Sequence, residues 1–472
     1  MKYKGFSSSA CGYKHAVNNK PSEDASLLVS DEGRVIFAVA DGHGDENCVR
    51  SGTGADLACR IAVAELGYHA DVIRDRALED RLMWADAGAM FMKHLTRKVA
   101  HHWNKAVKEH LANNPFTEDE LQTCPDNAEE YRKGNACERA YGTTLIAGLV
   151  TDRYMILLQQ GDGHCVAFDR SGNAFQPIPW DERCVSSATT SMCYKNADKA
   201  MRYCIRDLRD GKIAAVFAGT DGVEDSFPTS INKTYAYYRS ALELAGNEGV
   251  DAMVQFLEKD LPVLSERGSQ DDISVAGVVC TDDLALRMED FARQDEIDSV
   301  ESEIQTLNAK ISSMETGGKF QHCKEEREKA VLQYEMLQKK HQNLSAVCTD
   351  LAHRIDIHEQ EFRPDMINLN FMLEFFDFMK TYYFTGKFPS MLKSHYQAKC
   401  KERDDTAQDM EAAKAKMESA EQELQPIQDR YDGYLARKTE AEERLRVLKK
   451  ECGQPSLEDM YLVNKPEWSV MA

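Results

Sequence analysis

Arg34-Val-Ile-Phe-Ala-Val-Ala-Asp-Gly-His-Gly44 runs from an unbroken apolar stretch straight into an acid and a glycine-rich turn. A short β-branched and aromatic run bounded by turn residues reads as a buried strand. Asp41 therefore stands where the strand ends, held at the rim of a core. The same arrangement recurs along the chain. Asp162 follows Met155–Gln160 within Gly161-Asp-Gly163, and Asp221 follows Ala214–Ala218 within Gly219-Thr-Asp-Gly222. Asp271 and Asp272 immediately precede Ile273–Val279, and Glu23 and Asp24 precede Ala25–Val29. One acid in such a place is usually a turn former or a cap. Several that converge on one sheet edge would repel each other unless a cation lay between them. Hard divalent ions with oxygen ligands, Mg²⁺ or Mn²⁺, meet that need. The glycines beside Asp41, Asp162 and Asp221 let backbone carbonyls and water come close.

Around these acids the first 280 or so residues alternate short strands with helices. The expected strands are 25–29, 34–40, 143–150, 154–160, 213–218 and 273–279. Helices are expected over 52–67, 83–112, 234–244 and 250–257, and Thr117 to Glu120 has the form of a capping box. Strand pairs interleaved with helices indicate an α+β domain. The chain has 472 residues, more than one ordinary domain requires, so a second is expected. Its 58 Lys and Arg against 79 Asp and Glu leave a net charge of −21, which argues against nucleic acid as the main partner. The 14 cysteines are scattered, without zinc spacing, as in a chain from a reducing compartment. Residues 1–10 lack a long apolar core, so no secretory signal is expected. No apolar run of about 18 residues exists to span a membrane. A cytoplasmic location is the expectation.

After about Thr281 the strand signal stops. Ile297, Val300, Ile304, Leu307, Ile311 and Met314 step in the 3-4 rhythm of a heptad seam. Gly317-Gly318 is expected to break it into a hairpin. A second seam runs from Met410 through Met417, Leu424, Tyr431 and Ala441 to Leu448, with Pro426 expected to kink it. Between the seams lies an aromatic-rich segment, residues 364–392, which reads either as a small helical core or as a docking surface. The expected division is a catalytic domain over 1–281 and a helical, coiled-coil domain over 282–472. Residues 285–452 would serve self-association or partner docking.

The first 281 residues resemble the metal-dependent, type 2C family of serine/threonine protein phosphatases. The matching stretches are Gly12-Tyr-Lys-His15 with Glu23-Asp-Ala25, Val39-Ala-Asp-Gly-His-Gly44, Gly142-Thr-Thr144, Gly161-Asp162, Ala218-Gly-Thr-Asp-Gly222 and Ser269-Gln-Asp-Asp-Ile-Ser-Val275. They stand in the family's order. The resemblance implies two packed antiparallel sheets flanked by helices, with a two-metal site at one end. It implies that Asp41 bridges the two ions and that the Gly42 carbonyl ligates one. Asp221 and Asp271 would complete one shell, Glu23 and Asp24 would serve the second ion, and Asp162 with Asp221 would form a third, weaker site. His43 would be the general acid, its cationic form favoured by neighbouring carboxylates. The activity implied is hydrolysis of phosphorylated proteins. A catalytically silent scaffold and a small-molecule phosphomonoesterase are the alternatives, and intact Asp41, Asp221 and Asp271 argue against the first of these.

Two departures stand out. Many family members place an arginine four residues before the Glu-Asp pair, and Asn19 stands there in this chain. His15, Lys14 and Lys20 are left as candidates to hold the phosphate. Asp271-Asp272 replaces the common Asp-Asn, and the ligand role is assigned to Asp271. The segment from Pro179 to Cys204 corresponds to a variable flap, in which Trp180, Met192 and Tyr194 are either substrate contacts or ordinary packing.

Overall fold

A computed structural model describes residues 2–452 apart from 32, 74, 125, 185–187, 228–230 and 362–386, together with 462–463. Contacts divide the chain into two compact units, Met1–Ser302 with Arg444–Ala472, and Glu303–Glu443.

The first unit is a sandwich of two antiparallel sheets. One sheet has the order β1 (Tyr3–Ala10), β10 (Ile273–Cys280), β9 (Ile213–Gly219), β6 (His164–Asp169) and β7 (Ala174–Phe175). The other has the order β11 (Leu462–Val463), β8 (Arg202–Asp207), β5 (Tyr154–Gln160), β4 (Leu145–Thr151), β3 (Arg34–Ala40) and β2 (Ala25–Asp31). Strand side chains alternate between faces, and both faces are used. In β3, Val35, Phe37 and Val39 enter the inter-sheet core with Ile146, Leu157, Val216 and Val278. Ile36, Ala38 and Ala40 pack outward, in one cluster with Leu66 of helix Ser51–Val72 and Leu95 of helix Ala85–Asn113. Helices Ile231–Glu248 and Val250–Arg267 cover the other sheet. The order helix, sheet, sheet, helix is the architecture expected from sequence.

All six expected strands are present to within two residues. β1, β6, β7, β8 and β11 were not expected, and for β1 and β8 the reason is chemical. β1 is serine-rich and gains its order from pairing with β10 over its whole length. β8 buries Arg202 and Arg206, charges that mask the strand pattern until Asp181 and Asp210 are brought to them by folding.

In the second unit the seam positions pack inward. Leu307, Ile311, Leu344, Leu351 and Ala413 are buried. Helix Lys387–Cys452 runs through Pro426. It lies antiparallel to the preceding helices, as the pairs Glu303–Arg437, Glu315–Tyr431, Arg327–Glu421 and Lys340–Glu402 show. These pairs fall in one continuous register on both sides of residues 317–318. The expected hairpin at Gly317-Gly318 is therefore not formed. The break between helices Met288–Thr316 and Gly318–Glu361 is local, and the direction reverses only between Glu361 and Lys387. The physical reason is that helices Met288–Thr316 and Gly318–Glu361 both find their partner in the same 66-residue helix. The aromatic-rich segment falls largely outside the described residues.

Candidate active site

At one end of the sandwich the strand-end acids meet. Glu23, Asp41, Gly42, His43, Asp162, Asp221 and Asp271 line one cavity of about 1390 Å³. Asp24 stands behind it, accepting from the Thr220 hydroxyl at 2.8 Å. All the residues assigned from sequence are thus brought together.

Each is held by identifiable contacts. The Asp41 amide donates to the Thr144 hydroxyl at 3.0 Å. Its carbonyl accepts from the Thr144 amide and the Thr143 hydroxyl, each at 2.8 Å. The His43 amide donates to the Gly142 carbonyl at 3.1 Å. The Gly142-Thr-Thr144 stretch is therefore a clamp on the Asp41 turn. A Cβ on Gly42 would come within 2.6 Å of the Glu23 carbonyl, so only glycine lets the two acid-bearing turns approach so closely. The Asp162 carboxylate accepts from the Thr189 hydroxyl of the flap at 2.7 Å.

Asp272 has a role the sequence reading did not assign. It is 3% exposed, and its carboxylate accepts from the Gly12 amide at 2.5 Å, the Glu23 amide at 2.6 Å and His15 Nδ1 at 2.9 Å. It ties three segments together, and it lines the cavity beside Asp271. His15 is engaged by this bond. Lys14 lines the cavity and Lys20 does not. In the flap, Met192 is core, Tyr194 lines the cavity, and Trp180 stacks on His164 with ring centres 5.0 Å apart. Asp225 is a further acid in the wall. It lies four residues after Asp221 on helix Asp221–Asp225, a spacing that could have revealed it.

The electrostatics are those of crowded carboxylates. Asp41 is held well above the ordinary carboxylate range, first by burial and then by Asp221, Asp24, Asp271 and Asp162. Asp24 is raised likewise, by burial, with the Thr220 hydroxyl opposing and Asp272 and Asp221 adding. Asp221 is pushed up to about 7 by burial, Asp162, Asp271 and Asp225. Burial raises Glu23 too, against His15. His43 does not follow the expectation of a favoured cation. Burial lowers its pKa, and the pull of Asp162 and Asp45 only partly opposes this.

Among the described residues no group of three or more His, Cys, Asp or Glu side chains is closed enough to form a ready metal shell. The donor set nonetheless suits a hard divalent ion. It consists of carboxylates and one glycine carbonyl, and the carboxylates that line the wall destabilise one another in the absence of a positive charge.

The profile of the protein phosphatase 2C family matches residues 11–259, over half of the chain, and the chain belongs to that family. No curated protein matches it. Among solved structures, the catalytic domain of the serine/threonine protein phosphatase PstP in complex with two manganese ions is similar at 16% identity. The match covers 59% of this chain and 97% of that one, with a TM-score of 0.35. PstP/Ppp of Mycobacterium tuberculosis is 15% identical over 59% of this chain and 99% of its own, with a TM-score of 0.35. Stp1 of Staphylococcus aureus is 13% identical over 59% and 96%, with a TM-score of 0.36.

Proposed function

We propose that this chain is a metal-dependent hydrolase of phosphoserine and phosphothreonine esters in proteins, with residues 1–281 as its catalytic domain. The observation that carries the reading is the meeting of Glu23, Asp41, Asp162, Asp221 and Asp271, from five separate strand ends, in one cavity. Membership of the phosphatase family supports it. The cavity is larger than the few hundred to about 1000 Å³ common for small-ligand sites. That favours a phosphorylated protein segment over a small phosphomonoester.

Asp41, Gly42, Asp221 and Asp271 would hold one Mn²⁺ or Mg²⁺ and Glu23, Asp24 and Asp41 a second, with Asp162 and Asp221 available to a third. Bound there, the ions would supply an acidified water and offset charge on the phosphoryl oxygens. The protein's own part is positioning. Thr143, Thr144 and Gly142 fix the Asp41 turn, Thr220 fixes Asp24, and Asp272 fixes the Glu23 segment. His43, which lines the same cavity, would donate a proton to the departing serine or threonine oxygen. Burial opposes its protonation, and an arriving phosphate dianion would add to the favourable pull of Asp162 and Asp45.

We place the protein in the cytoplasm, its scattered cysteines all being free thiols among the described residues. No described helix is long and apolar enough to cross a membrane. The helical region, 282–472, is proposed as a coiled-coil module for partner docking. The test is phosphate release from phosphoserine, phosphothreonine and phosphotyrosine peptides with Mn²⁺, Mg²⁺ or EDTA. Metal-dependent release from the first two is expected. Absence of release from every peptide under every metal would remove the proposal.

A further inference from the structure

The cavity wall carries many carboxylates, yet a phosphorylated side chain must enter it as a dianion. Bound divalent ions answer only the phosphoryl end of that problem. The approach needs a cation of the protein's own, placed on rigid backbone and free of other partners. Lys14, Arg139 and Lys195 are the Lys and Arg residues that line the cavity.

Arg139 differs from the two lysines in how its backbone is held. It sits in the tight turn Cys137–Tyr141, between the buried Cys137 and the buried pair Ala140 and Tyr141. The Ala140 carbonyl accepts from the Arg50 amide at 2.8 Å, and the Arg139 carbonyl accepts from the Gly142 amide at 3.0 Å. The Tyr141 hydroxyl accepts from Arg50 Nη1 at 2.8 Å. Gly142 then holds the His43 amide, so Arg139 lies three residues from the clamp on the Asp41 turn. Lys14 belongs to a five-residue helix tied by its amide to the Gln270 carbonyl at 3.1 Å, apart from the clamp on the Asp41 turn, and Lys195 to an irregular stretch of the flap.

The Arg139 side chain is exposed. Among the described residues it makes no ion pair or side-chain hydrogen bond, although Glu138 beside it pairs with Lys108. It is near enough to Cys193 for its charge to oppose the effect of burial on that thiol, which places it between the turn and the flap. An unpaired guanidinium on fixed backbone, facing a polar cavity, presents a planar fork that matches two phosphate oxygens at once.

We propose that Arg139 anchors the substrate phosphate, taking the part that Asn19 cannot play. The inference rests on the phosphatase reading and adds to it a residue from the segment between helix Ala85–Asn113 and β4. It makes the anchor part of the turn that clamps Asp41, so that anchor and acid cluster share one rigid support.

The experiment compares wild type with Arg139→Ala, Arg139→Lys, Lys195→Ala and Arg132→Ala. Arg132 lies on the same segment, pairs with Glu118 and Glu129, and does not line the cavity. Two quantities are measured on Mn²⁺-loaded protein: the kcat and KM for a phosphothreonine peptide, and the binding of inorganic phosphate by calorimetry. Arg139→Ala should raise KM and weaken phosphate binding by about 10- to 100-fold, as loss of a charge-assisted hydrogen bond does, with kcat changed far less. Arg139→Lys should fall between, keeping the charge and losing the fork. Arg132→Ala should match wild type. Unchanged KM and phosphate binding in Arg139→Ala would overturn the proposal. So would a larger effect in Lys195→Ala, an equal one in Arg132→Ala, or a fall confined to kcat. In all these cases wild type stays active and the phosphatase reading stands. An inactive wild type would instead remove that reading, and this inference with it.

Discussion

Replacing Asp221 by Asn should weaken the catalyst and strengthen the metal-free fold, and both effects follow from one crowded carboxylate. The pKa of Asp221 rises from 3.8 to about 7 through burial and the charges of Asp162, Asp271 and Asp225. An acid raised in the folded state holds its proton more tightly there than when unfolded. Its contribution is fully favourable below pH 3.8 and is lost as pH rises through about 7. At pH 8 the ionised group then costs roughly 4 kcal/mol relative to an unperturbed one. Its neighbours can take up some of the proton, so about 2–4 kcal/mol is the expected gain from Asp221→Asn at pH 8 in EDTA. At pH 4 or below the two proteins should differ little, because the penalty has scarcely begun to develop there. Added Mn²⁺ should stabilise wild type, because binding to the native state alone shifts the folding equilibrium, and should stabilise the variant much less. Turnover should fall by at least ~10²-fold, since a ligand to the ions has been lost. The assay is thermal unfolding at the two pH values with EDTA or Mn²⁺, alongside phosphopeptide hydrolysis. A variant less stable than wild type at pH 8 in EDTA, or one stabilised equally by Mn²⁺, would refute the argument that these acids are mutually destabilising and await a cation.

Glu120 offers the opposite sign of pH dependence. Arg50 donates to its two carboxylate oxygens at 2.7 and 2.9 Å and, with the Thr117 amide, pulls its pKa down to about 2. Because the group is part exposed, Glu120→Gln should lower stability by about 1–2 kcal/mol at neutral pH. The deficit should shrink as pH falls below about 4.5 towards 2, and urea titrations that show a constant deficit across that window would contradict it. The seam of helix Lys387–Cys452 is filled by the chain's own helices, so the full protein should sediment as a monomer. A concentration-dependent dimer would show that a second surface of the helical region associates. Metal-dependent release of phosphate from phosphoserine and phosphothreonine peptides, and the Arg139 series, complete the set.

Much of the architecture was legible because local chemistry and tertiary role agree. The strands at 34–40, 154–160, 213–219 and 273–280 are apolar over nearly their whole length, since both faces of each sheet are covered. Asp41, Asp162 and Asp221 at their ends stand next to glycines, and Asp271-Asp272 directly precedes the last of them, so the acids could be read as a set. β1 and β8 were not legible, one because its serines carry no apolar pattern, the other because its buried arginines make sense only beside the acids Asp181 and Asp210 that folding places on them. Arg139 carries no motif of its own, and Asp225 is marked only by standing four residues after Asp221. Asp272 could not be told from Asp271 in the sequence, because adjacent residues differ in which way the strand start turns them. In the helical region the heptad spacing located the seams, but spacing fixes only which face is buried and says nothing of which helix buries it.

The sequence alone located a series of strand-end carboxylates and the long helical region that follows them. Those features rest on residue type and short spacings, which local chemistry settles. The tertiary structure decided that Asp272 holds the backbone of neighbouring segments, that His43 does not carry its proton easily, and which helix fills the seams of the helical region. Each of these depends on charges and surfaces far apart in the chain, and burial together with proximity, which only folding creates, sets their outcome.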